Sequence, residues 1–151
     1  SYCMESNIGN PDAMVFFLHG YGDYCKNYAY FFQQMANEGI MTYAVDRRGC
    51  GESQGLRGDI VAEETALNDY WTFIDAAAHL RGHHHNTPKF LIAHSLGALY
   101  AIRLCQKRPD FFKGCIVINP LLKFSTPVSA FTLASLKARS MLQYNERQAF
   151  P

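Results

Sequence analysis

The chain has 151 residues, 48% of them hydrophobic and 18% charged, a balance that supports one domain with a real core and argues against disorder. The formal net charge of +1 gives no electrostatic ground for nucleic acid or for an acidic partner. No apolar run reaches the roughly 18 residues that a membrane span needs, and Ser1-Tyr2-Cys3-Met4-Glu5 lacks the basic and apolar regions of a signal peptide.

The chain opens without Met, so its true start is expected upstream. The first strong signal is Ala13-Met14-Val15-Phe16-Phe17-Leu18, a continuous apolar run ending in His19-Gly20-Tyr21-Gly22. It predicts a buried strand that enters a glycine-rich loop. Asn27 reads as a helix N-cap. Tyr28, Phe31, Phe32, Met35 and Ala36 follow at helical spacing, and Gly39 reads as the stop. Met41-Thr42-Tyr43-Ala44-Val45 predicts the next strand, ending at Asp46. A loop with Gly49, Gly51, Gly55 and Gly58 comes next. Ile60, Leu67, Trp71, Ile74 and Ala78 mark one face of a long helix. Phe90-Leu91-Ile92 predicts a third strand, and Leu99 to Leu104 a helix after it. Cys115-Ile116-Val117-Ile118, closed by Asn119-Pro120, predicts a fourth core strand.

Strands that alternate with helices imply parallel pairing. Apolar rather than alternating strands imply that helices cover both faces of the sheet. Ligands of such sheets bind beyond the carboxyl ends of the strands. Phe131, Ala134, Ala138 and Met141 make an amphipathic helix outside any strand–helix unit.

Five cysteines stand at 3, 25, 50, 105 and 115. The odd count without Cys-x-x-Cys suits free thiols in a reducing, cytoplasmic setting better than a disulfide framework. Cys105 and Cys115 are expected to be buried, and Cys25 and Cys50 to lie in loops as ordinary thiols. His83-His84-His85 has no Cys, Asp or Glu beside it and reads as a solvated loop rather than a metal site.

Ala93-His94-Ser95-Leu96-Gly97 joins the third strand to its helix. Small-x-Ser-x-Gly at such a junction is the form of a nucleophile elbow, in which a sharp turn lifts the serine above the sheet. Two readings are open for Ser95: a nucleophile, or a helix N-cap without chemistry. The glycine loop at 20–22 falls on the same rim, which a plain turn does not explain.

Four segments in order and spacing carry a resemblance: Phe17 to Asp23, Asp46-Arg47-Arg48-Gly49-Cys50-Gly51-Glu52-Ser53, Ala93 to Gly97, and Ile116 to Pro120. Together they resemble the α/β-hydrolase fold and, within it, the monoacylglycerol lipase-like serine hydrolases. The likeness covers roughly residues 13 to 124. The family's elbow opens on glycine where this chain has Ala93. The resemblance implies that Ser95 is the nucleophile and that the Tyr21 and Leu96 amides form the oxyanion hole. It implies a structural role for His19 and for Asp46, and turn chemistry for Ser53.

The same resemblance sets the triad order as Ser, then acid, then His. All six histidines precede Ser95, and only Asp110 and Glu146 are acidic after it. Residues 1–124 therefore read as the N-terminal part of an α/β-hydrolase core, truncated before its last strands and without the triad acid and His. Residues 125–151 read as the start of a cap.

The implied activity is serine-type ester hydrolysis through an acyl-enzyme on a small lipid-like ester such as a monoacylglycerol, with no metal or organic cofactor. Val128, Phe131, Leu133 and Leu136 of the cap line an acyl channel, touch a membrane surface peripherally, or simply pack on a core. The rivals are a proline-type aminopeptidase or amidase of the same fold, and a non-catalytic binding module.

Overall fold

Five strands form one sheet: β1 (Tyr2–Met4), β2 (Ala13–Leu18), β3 (Ile40–Ala44), β4 (Lys89–His94) and β5 (Gly114–Ile118). The computed structural model describes residues 2–4, 11–79 and 86–122, with 129, 132, 134 and 135. The strand order is β1-β3-β2-β4-β5. β1 pairs antiparallel with β3, and every other pairing is parallel. Three helices connect the strands: α1 (Ala29–Asn37), α2 (Glu63–His79) and α3 (Leu96–Lys107).

Successive side chains of a strand point to opposite faces, and here both faces are apolar. Met14, Phe16 and Leu18 join Met41, Tyr43 and Leu91 on the face that packs against Leu67, Ile74 and Leu104 of α2 and α3. Val15, Phe17, Ala44 and Ile92 pack on the other face against Phe32 of α1 and Cys25. Each such side chain withdrawn from water contributes about 1.5–3 kcal/mol. This two-sided burial is why β2 reads as an unbroken apolar run.

The α2 and α3 surfaces are joined by ion pairs, Glu63 with Arg103 at 2.7 Å and Glu64 with Lys107 at 2.9 Å. Arg108, just past α3, grips both Asp75 oxygens at 2.8 and 3.1 Å. Its guanidinium lies 3.9 Å from the Trp71 ring centroid. The ion pairs are half exposed and contribute about 0–1 kcal/mol each.

Several expectations are corrected. Asn27 is not a helix N-cap: it lies in a 3-10 turn (Cys25–Tyr28), and α1 starts at Ala29. The turn forms because Asp23 Oδ1 takes the Tyr24 amide at 2.9 Å and Asn27 Nδ2 at 2.6 Å. Ile60 does not belong to the α2 face; it lies exposed before the helix begins at Glu63. β1 is three residues long, too short to carry a period in the sequence.

The fourth strand forms where the sequence expects it, as β5, parallel to β4. Among the described residues it lies at the edge of the sheet, with Ile116 58% exposed and Val117, Ile118 and the following Leu122 exposed beside it. Cys115 is exposed with it, and Cys105 is half buried. The Cys115 thiol is nevertheless pushed up to about 12, by burial of its sulfur and by the Cys105 thiol.

His83 to His85 lie outside the described residues. So does the predicted cap helix, apart from Thr132, Ala134 and Ser135, which are helical. Ser129 Oγ accepts the Thr132 amide at 3.1 Å. Among the described residues no helix is long and apolar enough to cross a membrane, and no cluster of His, Cys, Asp and Glu is placed to hold a metal ion.

Candidate active site

The chain leaves β2 toward β3 on one side and returns to β4 on the other. The crevice beyond the carboxyl ends of β2 and β4 is therefore the switch point of the sheet, where such folds place their ligands. Leu18 pairs with Ala93 at that end. The next residues on each strand, His19-Gly20-Tyr21 and His94-Ser95, face one another across the crevice.

Ser95 occupies the turn between β4 and α3 with φ 52° and ψ −116°. A non-glycine residue held in so sparse a conformation costs about 1–3 kcal/mol. Three backbone bonds hold it there. Ser95 N donates to Ile118 O at 2.9 Å, while Ser95 O accepts Ala98 N and Leu121 N at 3.1 Å each. The β5 end thus clamps the elbow through main chain, which no side-chain pattern announces. Ser95 stands at the N-cap position of α3, but its side chain makes no cap hydrogen bond there.

The small residues of the motif have distinct tasks. Ala93 is fully buried among the core side chains. A Cβ at Gly97 would stand 2.4 Å from Leu18 O and 2.6 Å from His19 O. Only glycine lets the first turn of α3 press against the end of β2. Leu96 is the first residue of α3, so its amide is among those a helix leaves without an internal partner.

His19 shapes the opposite wall. It is 1% exposed. Its Nε2 accepts the Arg47 amide at 2.9 Å, so its proton sits on Nδ1, which donates to Gly20 O at 2.8 Å. Burial pushes the imidazole below its ordinary value of 6.5, which favours the neutral ring. Both ring nitrogens are spent, so His19 is no general base. Because N–H and C=O of a peptide point oppositely, tying Gly20 O back to His19 turns the Tyr21 N–H away from that ring.

His94 lies beside Tyr28. Its Nδ1 lies 3.4 Å from Tyr28 Oη, which donates to Asp23 Oδ2 at 2.5 Å. Asp46 anchors loops: its Oδ1 takes the Cys25 amide at 2.7 Å and its Oδ2 the Glu52 amide at 2.9 Å. Burial opposes its ionisation, but these two amides together with the Cys25 thiol and His19 hold the carboxyl below its ordinary range. Ser53 Oγ donates to Asp46 O at 2.5 Å, a turn contact.

Cys25 and Cys50 are buried rather than accessible. Burial pushes both thiols up, away from the reactive thiolate. Asp110 lies in the turn that precedes β5, at the far end of that strand from Ser95.

A strained serine between a parallel strand and a helix, on a sheet wrapped by helices on both faces, defines an α/β-hydrolase. The profile of the family described as serine aminopeptidase, S33, matches residues 9–147, and the chain belongs to that family. Within it the chain is monoacylglycerol lipase-like. It is 32% identical to the monoglyceride lipase of Rattus norvegicus over 135 residues and 30% identical to that of Mus musculus over 131 residues.

The monoacylglycerol lipase of Paleococcus ferrophilus superposes with a TM-score of 0.68 at 29% identity, over 91% of this chain and 49% of that one. A lipase in its open form superposes with a TM-score of 0.72 at 20% identity, which speaks to fold alone. The chain spans 42% of the two mammalian lipases and 87% of its own length aligns with each.

Proposed function

We propose that this chain carries the nucleophile and the oxyanion donors of a serine-type carboxylic ester hydrolase whose substrate is a lipid-like ester such as a monoacylglycerol. The observation that carries the reading is Ser95 held at φ 52° at the switch point of the sheet. The monoglyceride lipases among its relatives support the ester.

In this reading Ser95 Oγ attacks the ester carbonyl carbon as its proton passes to a base. The carbon–oxygen bond to the alcohol breaks, and the alcohol leaves with that proton. Water then attacks the acyl-enzyme, and the carboxylic acid departs as Ser95 regains its hydrogen. The Tyr21 and Leu96 amides meet the negative charge that develops on the carbonyl oxygen. A preorganised donor of this kind lowers the barrier by about 3–4 kcal/mol.

The base in this reading is a histidine from outside residues 1–151, paired with an acid also outside them. His19 spends both ring nitrogens on Gly20 and Arg47, and His94 Nδ1 lies beside Tyr28. Residues 1–151 alone should therefore turn over a nitrophenyl ester far more slowly than the natural protein. The same reading places the protein in the cytoplasm, meeting lipid peripherally through the cap; recovery in a secreted fraction would count against that placement.

A fluorophosphonate probe followed by mass spectrometry tests the nucleophile in the natural protein. Label is expected on Ser95 and should vanish in Ser95→Ala; label that persists in that variant sinks the assignment. The family's description favours a second reading, an aminopeptidase. Hydrolysis of a peptide nitroanilide in preference to a monoacylglycerol would establish it.

A further inference from the structure

Tyr21 stands between Gly20 and Gly22. A backbone flanked by two glycines has little stiffness of its own, so something else must hold the Tyr21 amide. The Tyr21 side chain is tied on both of its parts. Its Oη donates to Gly58 O at 3.1 Å. Its ring centroid lies 5.9 Å from the Arg47 guanidinium carbon, within cation–π range.

Both partners belong to one loop that is closed on itself. Gly49 N donates to Gln54 O at 2.9 Å, and Gly58 N donates to Gly49 O at 3.1 Å. Gly49 has φ +76°, and a Cβ there would stand 2.2 Å from Leu56 O. The glycine spacing of this loop thus has a purpose: it brings the carbonyls of Gly58 and Asp59 back toward β2. Arg47 Nη1 donates to Asp59 O at 2.7 Å and Nη2 to Cys50 Sγ at 3.2 Å. Arg47 is 4% exposed, an unusual place for a guanidinium. Its main-chain N–H is the donor that sets the His19 tautomer. One residue therefore touches the oxyanion segment twice, at Tyr21 through its side chain and at His19 through its backbone.

We propose that Arg47 is a positioning residue of the oxyanion site: it grips the Tyr21 ring against the closed 46–59 loop and so holds the Tyr21 amide in place. This rests on the reading of Tyr21 N–H as an oxyanion donor. A donor that meets charge only in the transition state acts on kcat and not on substrate binding. Loss of the grip should therefore appear as a kcat defect.

The test compares Arg47→Met and Tyr21→Leu with the natural protein on a soluble nitrophenyl ester. Each variant should lose about 10- to 100-fold in kcat, with KM within about twofold. The inhibition constant of an alkyl boronic acid, which forms a tetrahedral anion on a serine, should rise in proportion to the loss in kcat/KM. Either variant, folded by circular dichroism, with kcat within about twofold of the parent overturns the proposal. Should Arg47→Met not fold, Tyr21→Leu decides alone, since Tyr21 is 43% exposed and the variant keeps its amide. Ser95→Ala, labelled in parallel, separates the two failures. Label that survives it defeats the reading of the site itself; label abolished, with kcat intact in Tyr21→Leu, defeats the role of Arg47 alone.

Discussion

Gly20 lies directly against Ser95: a Cβ on the glycine would stand 3.2 Å from the serine Cβ and 3.1 Å from His94 Nδ1. The β2 loop and the elbow are therefore a contact pair, not two motifs that share a rim. At this spacing a methyl group forces a neighbour to give by a few tenths of an ångström. Gly20→Ala should fold with near-parental stability yet lose about tenfold in kcat, because the oxyanion segment moves relative to the serine. Steady-state kinetics beside a urea titration checks this; an unchanged kcat contradicts it.

Gly97→Ala should behave differently. Its Cβ would meet the Leu18 and His19 carbonyls at 2.4 and 2.6 Å, and backbone cannot step aside as a side chain can. The expected cost is about 1–3 kcal/mol from overpacking, read as a lower urea midpoint. Stability equal to the parent would mean that α3 rides further from β2 than these distances show.

His19 gives the fold a pH dependence with a definite sign. Its folded pKa lies below the ordinary 6.5, with burial the leading cause, so the unfolded chain binds the proton more readily. Its contribution is complete above about 6.5, falls as pH drops through that value toward the folded pKa, and is flat below it. The urea midpoint should fall between about pH 7.5 and pH 5. His19→Gln should start less stable and show a shallower slope over the same range. An equal slope in parent and variant would assign the titration elsewhere.

Arg108 joins α3 to α2 through Asp75 and the face of Trp71. Arg108→Ala should cost about 1 kcal/mol, mostly from the lost stacking on Trp71, since the half-exposed ion pair adds little. Denaturant unfolding in high salt separates the two. A defect that disappears in salt would make the ion pair the larger part.

Residues 1–151 made alone should associate. Among the described residues β5 has no partner on its outer edge and exposes Ile116, Val117 and Ile118 with Leu122 beside them, a template for strand pairing and apolar contact. Light scattering at micromolar concentration should find oligomers, and Ile116→Lys should reduce them. A monodisperse monomer that unfolds cooperatively would show that this surface is tolerated as it stands.

Local physics made much of this legible in the sequence. An apolar run between turn residues must be a buried strand, so Ala13 to Leu18 and Phe90 to Ile92 declared themselves. Small residues around Ser95 at a strand-to-helix junction announced the elbow, because only small side chains let the two backbones close. What a residue meets across the sheet is not written in its neighbours along the chain. Cys115 to Ile118 reads as a strand, but only the strand order shows that β4 is its neighbour and that its end reaches Ser95. Cys25 and Cys50 read as loop thiols, yet tertiary packing buries both. Nothing in the sequence sets Arg47 apart from its neighbour Arg48; only the fold brings the Asp59 carbonyl and the Tyr21 ring around it. Two of the three bonds that hold Ser95 in its strained turn run from the end of β5 and the residues just past it, through main-chain atoms that every sequence possesses. Pattern along the chain determines which elements form. Which of them touch depends on contacts between distant residues, and these exist only once the sheet has chosen its order.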